Sequence, residues 1–332
     1  MKVVILNDTT ADLHHGCARV MRLLVEGLAH HGMTVIARSP VHHDWEGDAT
    51  IRTAMSHADI IVINGEGTLH HGRPGAARLL RVTEVAGNVP VALVNALYQD
   101  NPPEWGRWLS RLAHVSTRDS RSADAIAAVT GRKPVVVPDL TLSARIDGRP
   151  RTVPITYGDS VKDEVTAALA ARADRGAAPL VPSLSALKRP KGRSALMRRL
   201  RDWHIARHTV RMRAAHPTLE ICATEDAYAA RIAAARLHVT GRFHGVCYAI
   251  AAGTPFLAIT SNSWKTEALI ADAGLARWRV TDLAGLDDLI ARGPDALAFT
   301  AKEQSARNAY LDHAAAGAEA MFAALASLAA DR

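Results

Sequence analysis

One stretch limits the fold more than any other: Leu237 to Gly274, which reads LHVTGRFHGVCYAIAAGTPFLAITSNSWKTEALIADAG. A β-rich run, Leu237 to Thr240, ends at Gly241. Arg242, Phe243 and His244 follow, and Gly245 opens a small-residue helix pattern that stops at Gly253. Thr254-Pro255 turns into a second apolar run, Phe256 to Thr260. That run ends in Ser261, Asn262 and Ser263, ahead of another helix pattern with Trp264 and Lys265. Strands joined through helices re-enter a sheet in the same direction, so the unit implies a parallel sheet. Ligands of open parallel sheets sit at the strand carboxyl ends, where the polar and charged residues of this stretch gather. An arginine and a histidine on either side of one residue point there to an anion site with a proton donor beside it.

The rest of the chain repeats this alternation. Val3 to Leu6 is a continuous apolar run, as expected of a strand buried on both faces, with Asn7, Asp8 and Thr9 at its end. A helix is predicted from about Cys17 to His31, striped by Val20, Leu23, Leu24 and Leu28 and closed by Gly32. Further strands are predicted at Thr34 to Ala37, Ala58 to Ile63, Val91 to Asn95, Val115 to Arg118 and Val135 to Val137. Residues Ser143 to Arg151 lack an apolar period and read as a linker. A second alternation follows: a weak strand Ile155 to Tyr157, a helix Val161 to Ala173, short strands Pro179 to Pro182 and Leu219 to Ala223, then the opening stretch. Trp278 to Thr281 reads as a last strand, Leu283 to Ala291 as a helix, and Ala301 to Ala330 as a long alanine-rich helix. The fold class expected is α/β, with two Rossmann-like, doubly wound domains facing across a cleft. Residues 1–145 would form the first domain and 150–300 the second. Residues 301–332 would be a helix packing back on both.

With 332 residues the chain is long enough for two cores. Its 40 Lys and Arg against 33 Asp and Glu give a formal charge of +7. That excess favours an anionic ligand, an acidic glycan or an anionic membrane surface. No nucleic-acid-binding motif is present, so nucleic acid is not expected as a partner. Cys17, Cys222 and Cys247 form no CxxC pair and read as reduced, mostly buried thiols. The start, MKVVILND, reads as a strand and not as a signal peptide. No apolar run of ~20 residues is seen, so the expectation is a cytoplasmic protein. The segment Lys188 to Arg213 interleaves Arg and Lys with Leu, Met, Trp and Ile. It reads first as a solvated basic helix, and second as a patch for peripheral contact with anionic lipid at the inner face of a membrane.

Several strand ends carry chemistry. Asn64-Gly65-Glu66-Gly67-Thr68 reads as a glycine-rich turn after a buried strand. Gly65 and Gly67 would let backbone approach a ligand, while Glu66 would bind sugar hydroxyls or act as a base. Arg118-Asp119 has two readings: a pair capping the following helix, or Arg118 turned into the cleft as a planar clamp for phosphate or carboxylate. His14-His15 and His70-His71 each follow a strand-end loop on the same expected sheet edge, as candidate sugar or phosphate contacts lining the cleft. His204 and His208 share a helical spacing. HExxH is absent, and no metal is expected. Arg242, His244 and Lys265 at adjacent strand ends, with Asn262, are the sharpest local signal.

These pieces resemble the polysaccharide pyruvyl transferase family. GRFHG matches its R-x-H motif, AIAAGTP its A-x-x-x-G-x-P helix end, and Lys265 the lysine after the next strand. Upstream, INGEGTLH is similar to the family's glycine-rich strand end, and VSTRDSRSADAI to its R-D-x-x-S element. VVVPDLTL is similar to its P-D-P element, with Leu140 at the second proline. The resemblance implies a GT-B-like fold, phosphoenolpyruvate as donor, and an acceptor sugar or lipid-linked glycan whose two hydroxyls become a pyruvate ketal. It implies no cofactor beyond that co-substrate. It assigns Arg242 and His244 to the pair that holds and protonates the donor, and makes Arg118 and Lys265 further anion contacts. His244 is then the acid and Glu66 a candidate base. The chain departs from the family pattern where N-x-G-D is usual, with His14-His15-Gly16-Cys17, and where Glu66 replaces a further glycine. Two rivals stay in view, the first through those departures and the second through the basic segment Lys188 to Arg213. One is glycosyl transfer from a UDP-, GDP- or CMP-sugar. The other is a non-enzymatic glycan- or membrane-associated binding protein. A homo-oligomer is compatible with all three.

Overall fold

The computed structural model describes residues 1–185, 203, 206, 207 and 209–332. Most of the basic segment 188–213, with His204 and His208, lies outside the described residues. Among the described residues the first sheet holds β1 (Lys2–Asp8), β2 (Thr34–Pro40), β3 (Ile60–His70), β4 (Val91–Gln99), β5 (His114–Thr117) and β6 (Val135–Val136). Their order is β2-β1-β3-β4-β5-β6, and every pairing is parallel. β1, β3 and β4 are apolar on both faces because helices cover both faces; β2, at the edge, alternates between exposed and half-buried residues. The order turns back between β1 and β3, so the ligand crevice of this sheet opens at their carboxyl ends.

The second sheet holds β7 (Val153–Ser160), β8 (Ala235–Gly241), β9 (Phe256–Ile259) and β10 (Val280–Thr281), in the order β10-β9-β8-β7. Single parallel bridges from Tyr157 to Leu180 and from Leu180 to Leu219 continue it beyond β7. Its switch point therefore lies between β7 and β8, beside Asp159 and Arg242. Both sheets turn their switch points toward one cleft.

The last helix, Ala301–Ala330, ties the halves together. Thr300 and Glu303 form a capping box at its start. Glu303 also takes a bidentate bond from buried Arg279, with Nε–Oε1 2.7 Å and Nη2–Oε2 3.0 Å. Tyr310, Leu311 and Ala314 then pack in the core of the second sheet. Farther along, Ala318, Met321, Phe322, Leu325 and Ala329 pack in the core of the first. At 1.5 Å per residue it reaches about 45 Å. The sequence led to no expectation of a membrane-spanning helix, yet this one is long and apolar enough to cross a membrane. Its buried residues are the ones that join the two cores.

One local expectation is overturned. Asn64 to Thr68 is not a turn: β3 runs on to His70, and the next helix begins at Pro74. Pairing with β4 shifts between Glu66 and Leu69, which marks a bulge, and Glu66 sits at φ +36°. Glycine here serves strand packing, since a Cβ on Gly65 would lie 2.6 Å from the Ala96 Cβ.

Candidate active site in the interdomain cleft

A cleft of about 510 Å³ lies between the two sheets, and its walls bring together Glu66, Gly67, Arg118, Arg242, His244 and Lys265. Arg118, Arg242, His244 and Lys265 come from just past a strand or from the first residues of the helix after it, and Glu66 and Gly67 from the bulged second half of β3. The tertiary fold also adds residues that the sequence reading did not select.

Arg118 leaves the end of β5. It does not pair with Asp119, which instead caps the helix Ser120–Thr130 by accepting from the Ser122 amide at 2.8 Å. Arg118 Nη1 donates to Asp139 Oδ2 at 3.3 Å, and the guanidinium lies 4.2 Å above the Phe243 ring. The pair is almost wholly buried, yet Arg118 Nε and Nη2 have no partner among the described residues. A buried arginine with donors left over is poorly explained by packing, because unsatisfied buried polar groups are costly. Those donors suit a phosphate or carboxylate entering the cleft. Asp139 Oδ1 accepts from the Thr141 amide and hydroxyl, at 3.0 and 2.6 Å. The only sign of Asp139 in the sequence was the P-D element.

Arg242 is held by Asp159 at the end of β7, with Nε–Oδ2 and Nη2–Oδ2 both 2.7 Å. Burial pushes the Asp159 carboxyl up, but Arg242, the Ser183 amide and His14 outweigh it and hold it below the ordinary value. His244 is in the first turn of the helix Phe243–Ala252 and is 7 % exposed. Its Nε2 lies 3.7 Å from Glu66 Oε1 and 3.8 Å from Asp139 Oδ2, without a hydrogen-bond partner among the described residues. The close fit depends on Gly16: a Cβ there would stand 2.1 Å from the His244 ring.

Glu66 is buried. Its Oε1 accepts from the Cys17 thiol at 3.0 Å and its Oε2 from Asn64 Nδ2 at 3.2 Å. Burial raises the Glu66 carboxyl and, more strongly, the Cys17 thiol. Burial also holds His244 well below the usual imidazole range, and Arg118, Lys265 and Arg242 add to this by opposing another positive charge. Burial thus acts on the pair in opposite directions, raising the Glu66 carboxyl and lowering the His244 imidazole.

Lys265 is the first residue of the helix Lys265–Asp272, at the end of the helix dipole that repels cations. Burial first, then Arg118 and Arg242, push its ammonium down to about 8. The folded pKa lies below the unfolded one, so the charge penalises folding fully below pH 8, and the penalty fades as pH rises toward the ordinary value. Lys265→Met should stabilise the protein at pH 7 by roughly 1–3 kcal/mol, discounted for partial exposure. Melting should rise by a few degrees while binding of an anionic donor weakens; a fall in both would contradict a functional placement of this charge.

The remaining sequence candidates separate. His14 lines the cleft, with its ring 5.2 Å from that of His244. His15, expected beside it, turns the other way, because His14 is the extended cap and His15 the first helical residue. It stacks on Tyr228 at 4.8 Å inside the domain interface. His70 and His71 do not line the cleft either. Extension of β3 carries them past it, and their Nδ1 atoms meet at 2.8 Å. Asn262 is exposed and accepts from Lys265 Nζ at 3.4 Å, so it orients the lysine without lining the cleft.

The arrangement can bind a compact polyanion on three cations and move protons between a histidine and a carboxylate. Known proteins support the fold and the class. No curated protein matches the sequence. A putative UDP-N-acetylglucosamine 2-epimerase from Listeria monocytogenes is similar in structure, with a TM-score of 0.53 at 13% identity over 100% of this chain and 97% of that one. A UDP-GlcNAc 2-epimerase from Neisseria meningitidis gives 0.52 at 10% identity over 98% and 99%. A trehalose-phosphate synthase from Burkholderia vietnamiensis gives 0.50 at 12% over 98% and 99%. At such identities the likeness concerns the fold, which is the two-domain GT-B type. Residues 27–263, more than half of the chain, match the family model described as polysaccharide pyruvyl transferase. With that match across both sheets, the chain belongs to the polysaccharide pyruvyl transferase family.

Proposed function

We propose that the protein transfers the pyruvyl unit of phosphoenolpyruvate to two hydroxyls of a sugar or lipid-linked glycan, forming a cyclic ketal and releasing phosphate. The observation that carries this reading is Arg118, a buried guanidinium with two unpartnered nitrogens, converging with Arg242 and Lys265 on His244 and Glu66. Phosphoenolpyruvate offers a carboxylate and a phosphate to those cations. An acceptor hydroxyl adds to the enol carbon as the methylene carbon takes a proton. The carbon–oxygen bond to phosphate then breaks, and the second hydroxyl closes the ring. One hydroxyl proton ends in the new methyl group and the other leaves to solvent or phosphate.

The donor's negative charge favours a proton on His244. Burial first, then Arg118, Lys265 and Arg242, hold His244 well below the usual imidazole range, and a bound polyanion offsets the share that the cations contribute. His244 can then carry a proton beside Glu66, whose Oε1 lies 3.7 Å from Nε2. That leaves His244 as acid and Glu66 as base, each worth about 10²–10⁴-fold.

The rival is glycosyl transfer, supported by fold likeness to a protein bound to UDP-GlcNAc. A thermal-shift series separates the two. Phosphoenolpyruvate should raise the melting temperature in a saturable way, whereas UDP-, GDP- and CMP-sugars should not. At 100 times Kd the stabilisation is about 2.7 kcal/mol. Stabilisation by a nucleotide sugar alone would overturn the pyruvyl reading.

A further inference from the structure

We propose that His14, Cys17 and His244, completed by Glu66, form a binding site for a soft divalent metal ion of the zinc type, and that metal bound there switches the enzyme off. The inhibitory half rests on the pyruvyl-transfer reading; the binding half does not.

One ligand atom from each of His14, Cys17 and His244 lies within 4.8 Å of the others. Cys17 Sγ and His244 Nε2 approach the same Glu66 oxygen, at 3.0 and 3.7 Å. Bonds of roughly 2.0–2.3 Å in a tetrahedron place ligand atoms about 3.3–3.8 Å apart, so small side-chain movements close the site. Two imidazoles, a thiol and a carboxylate are a donor set suited to zinc. His14 and Cys17 are three residues apart across a helix start and therefore share a face. His244 arrives from the opposite domain, with Nε2 buried and unpartnered among the described residues. His14 Nδ1 accepts only a 3.1 Å bond from the Gly16 amide, which it can give up to a metal.

The charges around the site permit this. Arg118 and Arg242 face it, but each is paired with a buried aspartate, Asp139 and Asp159. Lys265 also faces it, and Arg73 and Asp12 stand on the first-domain wall. A Cys17 thiolate and a Glu66 carboxylate would balance the two positive charges of the metal. Up to two protons are released, and affinity rises with pH. The metal would occupy the groups that hold and pass the catalytic proton, and it would tie the two domains across the cleft.

The test uses the full chain, stripped with a chelator and titrated with Co²⁺ as a spectroscopic probe, then with Zn²⁺. Wild type should show a thiolate-to-cobalt charge-transfer band with the intense visible absorption of tetrahedral cobalt, and zinc should erase both. Cys17→Ser should lose the thiolate band and bind zinc at least about 100-fold more weakly, beyond the roughly 10–100-fold that loss of an outer partner costs. Cys222→Ser, buried elsewhere, should behave as wild type. Should Cys17→Ser melt far below wild type in chelator, His14→Gln carries the same comparison. Equal binding by wild type and variant, or octahedral cobalt without a thiolate band, would overturn the site. In turnover, zinc should inhibit, and chelator should restore the rate. Transfer that requires zinc would overturn the inhibitory half. Zinc bound through Cys17 in a protein with no pyruvyl transfer, with or without chelator, would sink the pyruvyl reading and leave the metal site standing.

Discussion

His244→Ala yields a folded protein that scarcely turns over. The rate with phosphoenolpyruvate and acceptor falls by about 10²–10⁴-fold, the contribution of one positioned proton donor. The melting temperature changes little, because the ring removed carries a buried nitrogen with no hydrogen-bond partner among the described residues, not a structural bond. A pH signature accompanies the loss. In the free protein burial and three cations hold His244 well below the usual imidazole range, and a bound polyanion offsets the cations' share. The proton needed for transfer is therefore held to higher pH in the complex, and the alkaline limit of kcat lies above that of kcat/KM in the wild type. Single-turnover and steady-state rates across pH check both statements. A variant with near-normal kcat would remove His244 from the chemistry.

Arg118→Ala produces the largest fall in stability. It strips the partner from Asp139, which is wholly buried. Breaking a buried ion pair by removing one member costs about 3–5 kcal/mol, on the order of a 5–10 °C drop in melting temperature for a chain of this size. Donor binding disappears as well, because the unpartnered nitrogens go with the side chain. Adding Asp139→Asn should return most of the stability, since no buried charge is then left alone, but none of the donor binding. The double-mutant cycle thus separates the two roles of Arg118. If the double variant binds phosphoenolpyruvate as the wild type does, Arg118 is a structural residue only. If the single variant melts with the wild type, the Arg118–Asp139 pair contributes nothing to stability.

Much of this site was legible in sequence because its parts are local. Arg242, His244 and Lys265 each stand within a few residues of a recognisable strand end, and parallel sheets present those ends to ligands. Asp139 and Asp159 were passed over for the same reason in reverse. Each looks like an ordinary loop or strand-end aspartate, and its role follows from the arginine it meets, 21 and 83 residues away in the chain. Cys17 was read as a buried thiol, and it is one, but its neighbours Glu66 and His244 arrive from β3 and from the other domain. The histidine pairs misled because a pair splits across a backbone: at His14-His15 the chain passes from extended cap to helix, sending one ring into the cleft and the other against Tyr228. Asn64 to Thr68 misled because two glycines suggested a turn, whereas partnership with β4 keeps the segment extended and absorbs the extra residue in a bulge.

By itself the sequence determined the α/β alternation and the strand ends at which charge collects. Hydrophobic period, capping residues and strand-end polarity are properties of neighbouring residues. The tertiary structure alone decided which charges meet. It left Arg118 with spare donors, placed His244 against Glu66, and set His14 and Cys17 beside a histidine from the other domain. Such contacts depend on how two sheets and the helix Ala301–Ala330 pack over distances that no local pattern encodes.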